Sequence, residues 1–183
     1  MPRLVLTPLL LLVALCQSLS PQTPPKAEDT SKPALATMQV QSNMNQLMRG
    51  VVYPAANVVF FAQNDNPADV KPARGQDPAL ATNPLASTFG GWQAVENAAL
   101  ALTDAANLLL IPGRSCANGV PAPIENPDWS KFVQDLRAAG LKAYTAAQTK
   151  DQDKMVEAAD ILNAACAGCH RKWREKRAAD RCK

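Results

Sequence analysis

Cys166, Cys169 and His170 stand in the order Cys-Ala-Gly-Cys-His, the local pattern by which a porphyrin is attached covalently to a chain. Two thiols three positions apart can add to the two vinyl groups of one haem, and the imidazole that follows then falls under the iron. On a helix, residues at i, i+3 and i+4 share a face, so the three side chains converge if the segment is helical. Two other chemistries use parts of the pattern. A redox-active Cys-x-x-Cys needs a thioredoxin-like setting of alternating strands and helices, and a zinc site needs further cysteine or histidine ligands. His170 is the only histidine and no second Cys-x-x-Cys exists. One covalent haem c is therefore the expected cofactor, held by Cys166 and Cys169 with His170 as proximal iron ligand.

The N-terminus supplies an export route. Met1-Pro2-Arg3 precedes an apolar run from Leu4 to Leu15, which reads as a secretory signal and is too short for a membrane span of about 20 residues. The signal is assigned to residues 1–20, with small residues permitting cleavage after Cys16 or after Ser20. Val13-Ala14-Leu15-Cys16 approximates a lipoprotein box, but Leu15 stands where that box takes a small residue. Lipid anchoring at Cys16 is thus the weaker expectation, and the expected location is the periplasm. Pro21, Pro24, Pro25 and Pro33 mark residues 21–34 as a tether, leaving residues 35–183 as one domain.

Removal of the signal leaves roughly 160 residues, enough for a single core. The formal charge is +3 and falls by one with Arg3, so neither nucleic acid nor strong membrane attraction is indicated. Arg171, Lys172, Arg174, Lys176, Arg177, Arg181 and Lys183 crowd the last stretch against Glu175 and Asp180. Cations near a helix C-terminus are favourable by themselves, and a solvated helix face is the default explanation. The functional alternative is a rim that steers acidic redox partner proteins.

The elements that must position the motif are all helical. A first helix is expected from about Leu35 to Gln63, bent at Pro54, whose ring meets the carbonyl of Gly50. Residues 64–87 are rich in Pro, Asn, Asp and Gly without periodicity and read as a surface excursion. A second helix from about Gly91 to Leu110 carries Val95, Ala98, Leu102, Ala105 and Leu109 on one stripe, and Pro112-Gly113 ends it. Asn126-Pro127 opens a third, with Trp129, Phe132, Val133, Leu136, Ala143, Tyr144 and Ala147 at helical spacing and Gly140 permitting a close approach. A turn near Lys150-Asp151 starts the fourth, in which Met155, Ala159, Leu162, Cys166, Cys169 and Trp173 recur at steps of four and three. That is the seam of a helical bundle, and no competing β pattern occurs.

A haem motif near the C-terminus of a four-helix chain resembles the class II c-type cytochromes, the cytochrome c′ family. The segment His170-Arg171-Lys172-Trp173-Arg174 is similar to the family's signature, with Trp in place of the usual Tyr. The resemblance covers about Leu35 to the C-terminus in helix order, with motif matches in the first and fourth helices only. The stretches 64–87 and 112–126 are longer than a compact bundle needs. The resemblance implies an all-α, antiparallel four-helix bundle with the covalent haem between helices 1 and 4.

Within that family the sixth iron position decides function: a methionine on the first helix resembles low-spin electron carriers, and an apolar residue leaves an open site for small gases. Met38, Met44 and Met48 are the candidates. In an up-down-up-down bundle the start of helix 1 lies beside the end of helix 4, and counting 1.5 Å per residue from those ends places Met48 nearly level with His170. Met44 falls about 6 Å nearer the end, and Met38 too near it. Leu47-Met48 is also similar to the Leu-Met pair of low-spin members. Met48 is thus the expected distal ligand, ahead of Met44. The same topology puts Cys116 and Cys182 at one pole, where a disulfide suits an exported chain. Arg114, at that pole, is a candidate partner for a haem propionate.

The expected protein is an exported monohaem c-type cytochrome that transfers one electron at a time between redox partners through a His/Met-ligated iron. It is not expected to be an enzyme, because its one histidine is already used and no acid–base pair flanks the distal position. It is not expected to span a membrane, and a homodimer is compatible with it. The chief alternative is a five-coordinate haem protein that binds or senses NO or CO, with a weak peroxidase and a haem-free scaffold behind.

Overall fold

In a computed structural model the chain is described at residues 38–71, 77, 81–175 and 182. The signal segment with Cys16, the tether, and Lys176, Arg177, Asp180, Arg181 and Lys183 lie outside the described residues. The described chain is all-α: four helical rods, and among the described residues no strand, only an isolated antiparallel bridge between Ser115 and Pro121. Among them, too, no helix is long and apolar enough to cross a membrane.

The first rod, α1, covers residues 44–64. It starts at Met44 rather than near Leu35, because Asn43 caps it: Asn43 Oδ1 accepts the Gln46 amide at 2.9 Å and the Asn43 amide donates to Gln46 Oε1 at 3.0 Å. Such a reciprocal box satisfies two amides that would otherwise lack partners. The rod is α-helical over Met44–Leu47, π-helical over Met48–Val52 and α-helical again over Tyr53–Asn64. Pro54 explains the middle piece. It brings no amide hydrogen, and its ring crowds the carbonyl four residues back. The chain widens by one residue just before it, so that the Tyr53 amide donates to the carbonyl of Met48, five positions earlier. The expected interruption thus takes the form of a π turn.

The rod α2 covers Gly91–Leu108. Its entry needs glycine: a β-carbon at Gly90 would collide with the carbonyl oxygen of Leu85, and Gly91 has φ +61°, a conformation that costs glycine little. The stripe Val95, Ala98, Leu102, Ala105 and Leu109 is buried. Next, α3 covers Pro127–Thr149, capped by Asn126 and ended by Lys150 in the left-handed conformation, φ 54°. Asp151 then caps α4, Gln152–Trp173, its side chain accepting the amides of Asp153 and Lys154.

The rods pack α1 on α2, α2 on α3, α3 on α4, and α4 back on α1 through Tyr53–Asn64. Gly140 lets α3 approach α2, since a β-carbon there would lie 2.6 Å from Thr103 Oγ1 and 3.1 Å from the Ala99 carbonyl oxygen. Leu102, Met155 and Leu162 are wholly buried, each contributing about 2 kcal/mol relative to exposure. Where α4 begins, the Gln152 side-chain amide donates to the carbonyls of Ala62 and Gln63 at 2.5 and 3.2 Å, so the end of α1 is held at the start of α4. The described residues of 64–87 are more than a surface excursion. Pro67 and Leu85 are buried, the latter on a short 3-10 turn, Pro84–Ala86.

Candidate functional site

Cys166, Cys169 and His170 occupy the last two turns of α4, all partly buried, and both cysteines are free thiols. They line a cavity of about 550 Å³, within the range of small-molecule and cofactor sites. From α1 come Met44, Met48, Val52, Ala56 and Phe60. Trp129, Phe132, Val133 and Leu136 of α3 form another wall, and Leu109, Ala165 and Trp173 add to the apolar lining. Trp129 is fixed from two sides: its ring meets Trp173 edge to face at 5.8 Å, and its indole N–H donates to the Leu109 carbonyl at 3.1 Å.

Both helix ends differ from the expected ones. Helix α1 starts at Met44, so Met48 is one turn in. Helix α4 ends at Trp173, so His170 is three residues from its end. The two offsets shrink together, and Met48 and Met44 line the cavity that His170 lines. Met38 is non-helical and largely exposed. Met44 is buried and Met48 partly so.

Burial sets the electrostatics of the motif. Desolvation pushes the Cys166 thiol up, opposed by a backbone hydrogen bond, and raises Cys169 to about 11 with help from the Cys166 charge. His170 is lowered by desolvation and by the Arg174 charge, against Glu175. All three groups therefore favour the neutral state. Among the described residues no Asp or Glu lines the cavity, whereas Arg49, Arg174, Asn45 and Asn163 do. Arg49 is exposed at the rim, and Arg174 pairs with Glu175 at 3.0 Å. Lys172 is ion-paired with Asp128, and Arg171 is exposed.

The pole beyond the motif is stapled. Cys116 and Cys182 form a disulfide, the Cys182 amide donates to the Trp173 carbonyl at 3.0 Å, and Cys182 also lines the cavity. Arg114 is not among the lining residues. It is 6% exposed; Nη1 donates to the Ser42 carbonyl at 2.6 Å and to Ser42 Oγ at 2.8 Å, and Nε to the Leu108 carbonyl at 3.3 Å. The expectation of a propionate contact is corrected accordingly. Its guanidinium binds the chain ahead of α1, and the arginines on the cavity are Arg49 and Arg174. Arg49 was missed although it directly follows Met48, an adjacency that could have marked it.

The lining fits a haem. Two thiols and an imidazole share one helix face, Met44 and Met48 of α1 line the same cavity, aromatic and aliphatic walls suit a flat apolar ring, and the exposed Arg49 and the Glu175-paired Arg174 are cations suited to propionates. Among the described residues no group of three or more His, Cys, Asp and Glu could hold a metal ion unaided; a porphyrin brings its own four nitrogens and asks only axial ligands of the chain. The strands that a thioredoxin-like redox pair requires do not occur among the described residues. In comparisons with protein-family models, curated proteins and solved structures, nothing matches this chain.

Proposed function

We propose that the chain is an exported monohaem c-type cytochrome of the class II kind, an antiparallel four-helix bundle that carries single electrons between redox proteins in the periplasm. The observation that carries the proposal is the convergence of Cys166, Cys169 and His170 of α4 with Met48 of α1 on one apolar cavity of about 550 Å³. Cys166 and Cys169 would hold the haem through thioethers, which forbids its loss. His170 and Met48 would ligate the iron, Met44 being the second choice. When bound, the haem supplies a one-electron Fe(III)/Fe(II) couple, whose potential a thioether ligand raises.

The remaining groups act around that couple. Trp129, Phe132, Val133 and Leu136 exclude water from the ring, and a dry site strengthens every charge interaction in it. Arg49 and Arg174 would hold the propionates as charge-assisted pairs. The exposed Arg171 and the cationic rim of the cavity suit an acidic partner surface, whose approach such charge accelerates. Because His170 and Met48 are both carried on helices, the chain itself would need to rearrange little when a bound haem iron changed charge.

A visible spectrum of the purified protein in both oxidation states tests the proposal. The expected result is a low-spin spectrum with a weak sulfur-to-iron charge-transfer band in the oxidised form and slow or poor carbon monoxide uptake in the reduced form. Met48→Ala should convert it to a high-spin, fast-binding form with a lower potential. A native protein that is already high-spin and takes up carbon monoxide readily would replace electron transfer with binding or sensing of small gases.

A further inference from the structure

Among the described residues no carboxylate pairs with the buried Arg114, and taking a guanidinium from water is costly unless its donors are well placed. Arg114 meets that condition with three bonds to two separated parts of the chain. Nε holds the carbonyl of Leu108, the last residue of α2, and Nη1 holds both the carbonyl and the hydroxyl of Ser42, two residues before α1. The next residue continues the contact: the carbonyl of Ser115 accepts the amide of Met44, the first residue of α1, at 2.8 Å. Cys116 follows, bonded to Cys182, whose amide is held by Trp173 one turn from His170. Ser42, Arg114, Ser115, Cys116, Cys182 and Trp173 thus form an unbroken strap from the start of α1 to the end of α4.

We infer that Arg114 is a positioning residue for the first turns of α1, and through them for Met48, fixing the separation of the two helices that face each other across the cavity. Its bearing on the iron rests on Met48 being the distal ligand, as proposed above. The backbone contact of α1 with α4 is made by Tyr53–Asn64, beyond the widened turn at Met48–Val52. Met48–Val52 also packs on α2, and Met44, Leu47 and Val52 are buried in the core; Arg114 and Ser115 add the polar ties that fix where the rod begins. Loss of those ties frees Met48 to leave the axial position without unfolding α2, α3 or α4.

The test is a double-mutant cycle on the haem-loaded protein. Arg114→Gln, and Arg114→Lys as a milder change that keeps the charge but not the two-directional grip, are each made in the native chain and in Met48→Ala. The readouts are the charge-transfer band, the carbon monoxide association rate, and hydrogen exchange of the amides of residues 44–52. Arg114→Gln is expected to weaken the band, to speed association at least tenfold and to accelerate exchange in residues 44–52 more than in α3, with Arg114→Lys intermediate. In the Met48→Ala background the same substitution should leave the association rate within twofold. An unchanged band and rate in Arg114→Gln would overturn the inference, as would an equal acceleration in both backgrounds, which is the mark of a general loosening. If Arg114→Gln fails to fold, Arg114→Lys decides on the same criteria. A native protein lacking the band sinks the sulfur ligand alone; exchange in residues 44–52 then decides the positioning role, faster exchange in the Arg114 variants upholding it and native exchange refuting it.

Discussion

The carbonyl of Met48 accepts the amide hydrogen of Tyr53, five residues on, so the proposed distal ligand opens the one widened turn of α1. π turns are frequent where a helix must present a side chain for function. A single extra residue changes the direction of everything before it by about 100°. Replacing Pro54 with Ala supplies the missing amide hydrogen and removes the ring. The turn should then close to ordinary α-helix and carry Met44 and Met48 round the axis. Pro54→Ala is expected to keep or raise the helical circular dichroism while the sulfur-to-iron band disappears; retention of that band would mean that the π turn does not aim the ligand.

Covalent attachment is the most direct expectation. After denaturation and extraction with acidified acetone the colour should stay with the polypeptide, and Cys166→Ala combined with Cys169→Ala should release it. Colour extracted from the unsubstituted protein would exclude thioether bonds.

The strap can be weighed by opening it. The disulfide joins residues 66 positions apart, and reducing it is expected to lower stability by about 2 to 4 kcal/mol in the chain-entropy picture. Denaturant titration with and without reductant measures this, and non-reduced peptide mapping should recover Cys116 linked to Cys182. Both residues alkylated in the native protein would contradict the bond.

Gly140 is expected to resist even a methyl group. Alanine would gain roughly 1 kcal/mol of helix propensity, but its β-carbon meets the backbone of α2, with the Thr103 nitrogen at 3.0 Å and the Ala99 oxygen at 3.1 Å. Backbone cannot swing aside as a side chain does, so overpacking of about 1 to 3 kcal/mol should win. Gly140→Ala should lower the unfolding midpoint; a raised midpoint would mean that α2 and α3 separate freely.

In the haem-free protein the thiols give stability a pH dependence. The Cys169 thiol has a folded value of about 11 against a reference of 9.0. A raised value means that the unfolded chain loses its proton first. The stabilisation is complete below pH 9 and is lost as pH rises from there through 11, at about 1.4 kcal/mol per pH unit across that window. Thermal unfolding over the same range should show a decline that Cys169→Ser reduces. Equal slopes in the two proteins would refute the assignment to Cys169.

Helices α2, α3 and α4 were legible because each repeats an apolar stripe, and for α3 and the start of α4 the caps are clear as well: Asn126 and Asp151 sit at the N-caps and Lys150 ends α3. The start of α1 was not, since helix-compatible residues precede Asn43 and only the reciprocal bonding of Asn43 with Gln46 fixes the boundary. A single buried leucine cannot declare itself in a Pro-rich stretch, so the anchoring role of Leu85 was invisible. Arg114 misled for a physical reason. A guanidinium usually seeks solvent or an anion, and its burial on the carbonyls of Ser42 and Leu108 depends on two loops meeting, which no local pattern encodes. The convergence of Cys166, Cys169 and His170 on one cavity was legible, because their spacing is local and a helix alone brings the three side chains to one face.

If the chain is exported and loaded with haem as proposed, the strap also bears on the order of events during its maturation. Along the chain Cys182 comes after Cys166 and Cys169, so a polypeptide emerging N-terminus first shows Cys116 two wrong partners before the right one. Oxidation at the moment of emergence would trap a thiol that the haem requires. Correct maturation therefore needs either oxidation slower than translocation, or an agent that exchanges early bonds until Cys116 finds Cys182.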